Sequence, residues 1–506
     1  MLTSLTQTDH RDMRRGCDHS GGGGGRDMDL DIFLSPRSVA VVGASRNPKK
    51  LGHVILKHVM EGDADVYPVN PNAEEIEGLT CYPSVTDIPA DVDLAVLAIP
   101  AQLTPVVVKE CCRKKVKGVI PIAGGFGETG TEGKKLEREI TSYLKNSSTR
   151  VLGPNTIGIY SPRTKLDTLF LVKERAPRPK EGPIALISQS GAMGATFIDY
   201  MSFLGLGLSA FVGLGNRLDL SENEFIEYFA HDPHTKTIVV YLESFADGRE
   251  FYRICKEVNK KRPVVCLKAG RTERGARAAS LHTGALGGAE PIANGALRQA
   301  GVTRAYDERE LIDYAQVMAC CEPINGQKIA TLTCGGGAGV ISVDLLTSTA
   351  HGYGLDLSTL SEGTKKELRS VVPPYASVEN PVDLTGSATN EMYQDCLQIL
   401  QGASEVDGIL CLLLAQIPGV DERFVDMVVP IVKEGRRPTV FAVVGGAFAQ
   451  HMLVSLNKLE MAAYPSIVRG IKAIRVLVDR GEYLQLDAPH GREIGNKREE
   501  DKREEV

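Results

Sequence analysis

Ile184-Ala185-Leu186-Ile187-Ser188-Gln189-Ser190-Gly191-Ala192-Met193-Gly194 is the stretch that decides the fold of this chain. Its apolar run reads as a short buried strand. The glycine turn after it feeds a helix with Met193, Phe197, Met201 and Leu204 on one face. The pattern returns 145 residues downstream: Ile184-Ala185 matches Ile329-Ala330, Gly191 matches Gly336, Gly194 matches Gly339, and Asp199 matches Asp344. Thr333-Cys334-Gly335-Gly336-Gly337-Ala338-Gly339 is thus a second turn opening a second helix. Two copies of a strand–turn–helix unit predict two similar α/β domains. In each, a helix N-terminus offers free amides and a positive dipole end to an anion.

A related unit lies upstream. Ser38-Val39-Ala40-Val41-Val42 runs into Gly43-Ala44-Ser45-Arg46-Asn47-Pro48-Lys49-Lys50-Leu51-Gly52 and then a helical stretch. Further strands are predicted at 65–69, 93–98 and 118–123 with helices between them, an alternation that gives a parallel sheet. The first turn is not GxGxxG, so a dinucleotide cradle is not indicated. Its Asn-Pro-Lys-Lys insertion suits phosphates held by lysine and backbone amides. Asn70-Pro71, Ile99-Pro100 and Gly124-Gly125-Phe126-Gly127 stand at the other strand ends, where open α/β sheets bind ligands. Linkers at 173–183 and 322–327 divide the chain into domains at 31–165, 178–321 and 326–486. A glycine-rich segment, 1–30, and a charged tail, 487–506, are expected to be disordered.

Composition narrows the function. The 506 residues have room for about three domains. Lys plus Arg is 58 against 64 for Asp plus Glu, which leaves no basic surplus for nucleic acid. No apolar run is long enough to span a bilayer, and the N-terminus has no apolar signal core. The 11 cysteines show no CxxC spacing, so neither zinc nor a disulfide framework is expected and no metal site is assigned. A reduced, cytoplasmic protein is the reading.

The chemistry centres on Ala278-Ala279-Ser280-Leu281-His282-Thr283-Gly284-Ala285-Leu286-Gly287-Gly288. Small neighbours let a phosphate approach the imidazole of His282, which is neutral and nucleophilic near pH 7. A polar loop that merely contains a histidine is the plain alternative. Upstream, the strand Ile238-Val239-Val240-Tyr241-Leu242 delivers Glu243 at its carboxyl end.

Taken with Gly153-Pro154-Asn155, Gly215-Asn216 and Asn380-Pro381-Val382-Asp383, these motifs resemble the α subunits of the NDP-forming acyl-CoA synthetases. That family includes ADP-forming acetyl-CoA synthetase and succinyl-CoA synthetase. The resemblance runs from about Asp31 to about Leu484. It implies a Rossmann-like CoA-binding domain followed by two flavodoxin-like, doubly wound domains. It also implies a reaction in which acyl-CoA, phosphate and ADP give a carboxylate, CoA and ATP through an acyl phosphate and a phosphohistidine.

By the same resemblance His282 carries the phosphoryl group and Glu243 orients it. Amides at Ser190, Gly191, Gly335, Gly336 and Gly337 would hold phosphate. Coenzyme A would lie along Gly43, Ala44, Ser45, Lys49, Asn70, Pro71, Ile99 and Pro100, with its thiol end near Gly125, Phe126 and Asn155. ADP or ATP with Mg²⁺ would sit on a partner ATP-grasp β subunit in an α₂β₂ assembly. Small departures from the family pattern, such as Leu281 before the histidine and Cys334 in the third-domain turn, keep size and glycine content. A non-catalytic CoA-sensing module is the alternative, and a NAD-dependent dehydrogenase is disfavoured by the missing GxGxxG.

Overall fold

The computed structural model describes residues 30–283, 290–349 and 353–486, with residues 279–283 described by backbone alone. The disorder expected at 1–30 and 487–506 therefore falls, apart from Leu30, outside the described residues, and so does the side chain of His282.

The first sheet comprises β1 (Ser38–Val42), β2 (Asp65–Val69), β5 (Leu94–Leu97), β6 (Gly118–Pro121) and β7 (Arg150–Val151), after a small hairpin of β3 (Glu75–Ile76) and β4 (Leu79–Thr80). Its order is β2-β1-β5-β6-β7, all parallel. β1, β5 and β6 are buried along their whole length, as strands covered on both faces must be.

The chain then crosses to a second sheet at once. β8 (Ile159–Ser161) and β9 (Leu166–Asp167) form an antiparallel edge on β10 (Glu181–Ser188), β11 (Leu208–Gly213), β12 (Thr237–Leu242), β13 (Val264–Lys268) and β14 (Thr303–Ala305), in the order β14-β13-β12-β10-β11-β8-β9. The third sheet has β15 (Lys328–Thr333), β16 (Asp356–Leu357), β17 (Val382–Asp383), β18 (Gly408–Leu414), β19 (Thr439–Val444) and β20 (Ala462–Tyr464). Its order is β16-β15-β18-β19-β20, with β17 also on β15.

The sequence repeat is a structural repeat. β10 and β15 end at Ser188 and Thr333, and the next helices begin at Gly191 and Gly336, each pair 145 residues apart. At the same offset Ser188 Oγ donates to Ser190 O at 2.8 Å and Thr333 Oγ1 donates to Gly335 O at 3.2 Å.

Helix Glu308–Cys320 is buried at every position from Leu311 to Ala319. One side packs on the second sheet, and the other is covered by helix Ile467–Leu486 and β20 of the third. Gln316 Nε2 donates to Asn457 Oδ1 at 2.6 Å, and Arg469 makes a fork on Asp313 at 2.6 and 2.7 Å. A single apolar cluster accordingly runs from Phe197 and Met201 through Val317 to Leu453 and Tyr464. Another joins Phe33 and Leu56 of the first domain to Phe225 and Val240 of the second.

One polar side chain lies deeper than its type suggests. His58 is only 7% exposed, with Nδ1 2.8 Å from Leu169 O. The segment after the first domain folds back over its helix and buries the ring. The ten described cysteines are free thiols. No described helix is long and apolar enough to cross a membrane, and no group of three His, Cys, Asp or Glu among the described residues could hold a metal ion.

Candidate active site

Each of the three sheets reverses its strand order once, between β1 and β5, between β10 and β12, and between β15 and β18. Helices leave toward opposite faces at such a point, so a crevice opens beyond the carboxyl ends of the two strands.

At the first crevice Gly43 turns with φ +85°, and a Cβ there would lie 2.4 Å from Ala98 O. Only glycine lets the β1 turn approach the end of β5 so closely. Asn70 Nδ2 donates to Ala44 O at 2.8 Å and fixes the turn from β2. The result is a cavity of about 510 Å³ lined by Gly43, Ala44, Ser45, Lys49, Asn70, Ile99 and Pro100 among others. Seven of the residues expected on CoA thus meet in one cleft.

Pro71, Gly125 and Phe126 do not line it. Phe126 is fully buried in the first domain's core, and the amides of Gly125 and Phe126 both donate to Glu128 Oε1, at 2.6 and 3.1 Å.

The second crevice holds Glu243 at the end of β12. Its backbone is gripped from both sides. Gln189, at the end of β10, accepts from Glu243 N at 2.8 Å and from Ser244 N at 3.2 Å through one Oε1. Lys268, the last residue of β13, donates from Nζ to Glu243 O at 2.8 Å. Burial pulls the Lys268 ammonium below its ordinary pKa. Arg217 closes the far side: its guanidinium binds Glu222 at 2.9 Å and the carbonyl and hydroxyl of Ser244, each at 2.7 Å.

Ser190 caps the following helix, its Oγ accepting from Met193 N at 3.3 Å. The other first-turn amides of that helix, at Gly191 and Ala192, have no intrahelical carbonyl to bond and are available to an anion. The cavity here, about 500 Å³, is lined by Asn155, Gln189, Ser190, Gly191, Asn216, Arg217 and Glu243 among others. Asn155 therefore lies here and not in the first cleft. Ile122, just past β6, lines both cavities.

Gly335, Gly336 and Gly337 start helix Gly336–Thr347 at the third crevice, and they do not line the Ser190 cavity. His282 sits by its backbone in helix Glu273–Thr283, shortly after β13.

Gln189, Lys268, Arg217 and Glu222 were not among the expected site residues. Gln189 stands in the strand–turn–helix motif, but a polar residue at a strand end does not announce which distant amide it will hold. Replacing Gln189 with leucine leaves the amides of Glu243 and Ser244 without their acceptor. The expected cost is about 1–3 kcal/mol of stability, read from thermal unfolding, with slower turnover and unchanged CoA affinity.

The first two domains are locked beside this cavity. Asn216 Nδ2 donates to Glu128 Oε2 at 2.6 Å and to Glu137 Oε1 at 3.1 Å. Burial alone would raise the Glu128 carboxyl, but Asn216 and the backbone amides outweigh it and hold its pKa below the ordinary 4.5. A depressed carboxyl stabilises in full above its unfolded pKa and loses that contribution as pH falls through the folded one. The stability difference between wild type and Glu128→Gln should therefore be constant near neutrality and shrink below about pH 4. Thermal midpoints across that range check this.

Comparison with known proteins places this fold among the CoA ligases. Three family models match in order: a CoA binding domain over 37–162, a succinyl-CoA ligase-like flavodoxin domain over 181–318 and a ligase-CoA domain over 329–454. The α subunit of ADP-forming acetate–CoA ligase I of Pyrococcus furiosus is 38% identical, over 89% of this chain and 97% of its own length. ADP-forming 4-hydroxybutyrate–CoA ligase of Nitrosopumilus maritimus is 35% identical, over 82% of this chain and 59% of its own. Among solved structures, acetyl-coenzyme A synthetase 1 of Candidatus Korarchaeum cryptofilum, in complex with phosphate and ADP, superimposes with a TM-score of 0.83. It is 34% identical and covers 90% of this chain and 98% of its own. The chain belongs to the family of ADP-forming acetate–CoA ligase α subunits.

Proposed function

We propose that the chain is the α component of an ADP-forming acyl-CoA ligase, which interconverts acyl-CoA, phosphate and ADP with a carboxylate, CoA and ATP. The observation that carries this reading is the pair of cavities that meet at Ile122, one a phosphate-friendly cleft and the other a helix start beside a fixed glutamate.

CoA lies in the first cleft, with its phosphates on the Gly43–Ser45 turn and Lys49. Its thioester reaches past Ile122 toward Asn155 in the second. There a phosphate held on the Ser190 and Gly191 amides attacks the thioester carbonyl. The C–S bond breaks, CoA leaves as the thiol, and an acyl phosphate forms. His282 attacks the phosphorus, releasing the carboxylate and keeping the phosphoryl group on nitrogen, the covalent step that divides one difficult transfer into two. Glu243 holds the other ring N–H and stabilises the positive charge as it grows. Gly335–Gly337 supply a second helix start for the charged intermediate, and ADP then takes the phosphoryl group on an ATP-grasp β subunit. The name of the Pyrococcus relative as an α subunit supports a β partner, and α₂β₂ is the assembly we favour, in the cytoplasm.

The test is ATP formation by the chain with an ATP-grasp β subunit of this family, from acetyl-CoA, phosphate and ADP. Acyl-CoA-dependent ATP that needs both proteins supports the reading. Tight CoA binding without ATP from any of several acyl-CoAs would leave a CoA sensor.

A further inference from the structure

At the opposite ends of the strands from Glu243 a third and larger cavity opens, about 840 Å³, between the second and third domains. Lys236 precedes β12 and Glu243 follows it, so the two sites stand about 23 Å apart along one strand. Eight lysine and arginine residues line this cleft against two glutamates. Glu460 reaches Lys236 only at 3.9 Å, and of the eight cations Lys260 is paired at 3.0 Å with Glu257, just outside the lining.

The whole chain carries a net charge of −6, so such a concentration of positive charge is local and not a property of the surface at large. Like charges crowded into a concave wall repel one another and focus a positive potential into the cleft.

Two of the guanidinium groups are incompletely satisfied. Arg480, only 6% exposed, donates from Nη2 to Asn259 O, while its buried Nη1 has no partner among the described residues. Arg437 Nε, from the third domain, is likewise buried without one. A buried N–H of a charged group is costly to leave unpaired, and both guanidinium groups add their positive charge to the cleft wall. Burial already pushes the Arg480 guanidinium down to about 10.

We propose that this cleft binds a small oligophosphate, of the di- or triphosphate class, at a site separate from the CoA and phosphate cavities. Exposed Lys261, from the second domain, and exposed Arg436, from the third, flank it, so an occupant bridges the two domains. The volume lies in the range of small-molecule sites and accommodates a mononucleotide. Lys and Arg recognise the phosphates, and Pro438 adds an apolar patch to the lining.

Calorimetric titration of the full chain, saturated with CoA and inorganic phosphate to fill the other cavities, tests this with tripolyphosphate and with ATP as probes. Saturable binding is expected, weakening as salt rises. The double variant Lys261→Glu/Arg436→Glu should weaken it at least tenfold while keeping CoA affinity and thermal midpoint. Arg480→Gln should weaken it too. ATP binding more tightly than tripolyphosphate would identify the occupant as a nucleotide, and equal binding would identify the phosphate chain alone. No saturable binding by the CoA-saturated chain overturns the proposal, and so does wild-type affinity in the double variant.

Discussion

Replacing His282 with alanine is expected to abolish acyl-CoA-dependent ATP formation, by about 10⁴-fold or more, because the variant has no atom on which to carry the phosphoryl group between two sites. The deficit should be selective. CoA binding uses the first-domain cleft and should be unchanged. Exchange of phosphate into acyl phosphate precedes the histidine and should survive. The direct measurement is incubation of the chain with acetyl-CoA and radioactive phosphate, followed by a search for acid-labile label on protein. Wild type should take it up and His282→Ala should not. Label that persists in the variant would move the covalent step to another residue.

Glu243→Gln should have the next largest effect. The amide fills the same space at the end of β12, and Gln189 and Lys268 hold the backbone there irrespective of the side chain. What is lost is the charge that fixes the ring tautomer and offsets the imidazolium in transit. A loss of about 10²–10⁴-fold in the rate of histidine phosphorylation is expected, with the affinities for CoA and phosphate little altered. Rapid-quench measurement of label on His282 separates this step from binding. A variant as fast as wild type would reduce Glu243 to a carboxylate that happens to end a strand.

The elements legible in the sequence were those whose residues speak for themselves. β10 and β15 are apolar runs that lead into glycine-bearing turns, so both strand–turn–helix units could be recognised from the repeat, though not their exact ends. Glu243 was legible because strand β12 is an unbroken apolar run and the next residue is charged. β8 and β9 were not legible, since strands of three and two residues have no period to detect and exist only because β11 offers them an edge. The roles of Gln189 and Lys268 depend on amides and carbonyls 25 to 55 residues away, which no local pattern encodes. Gly125 and Phe126 looked like a loop open to a ligand, but Glu128 turns back on their amides and draws the aromatic ring into the core.

Helix Glu308–Cys320, enclosed on all sides, has a practical consequence for anyone dividing the chain. The linker that follows it looks like a natural place to cut, yet the cut would strip one flank of this helix and leave a broad oily stripe facing water. A fragment stopping near residue 321 should aggregate unless the remainder is supplied in trans, whereas a protease nick in the same linker should leave two pieces that travel together on a sizing column.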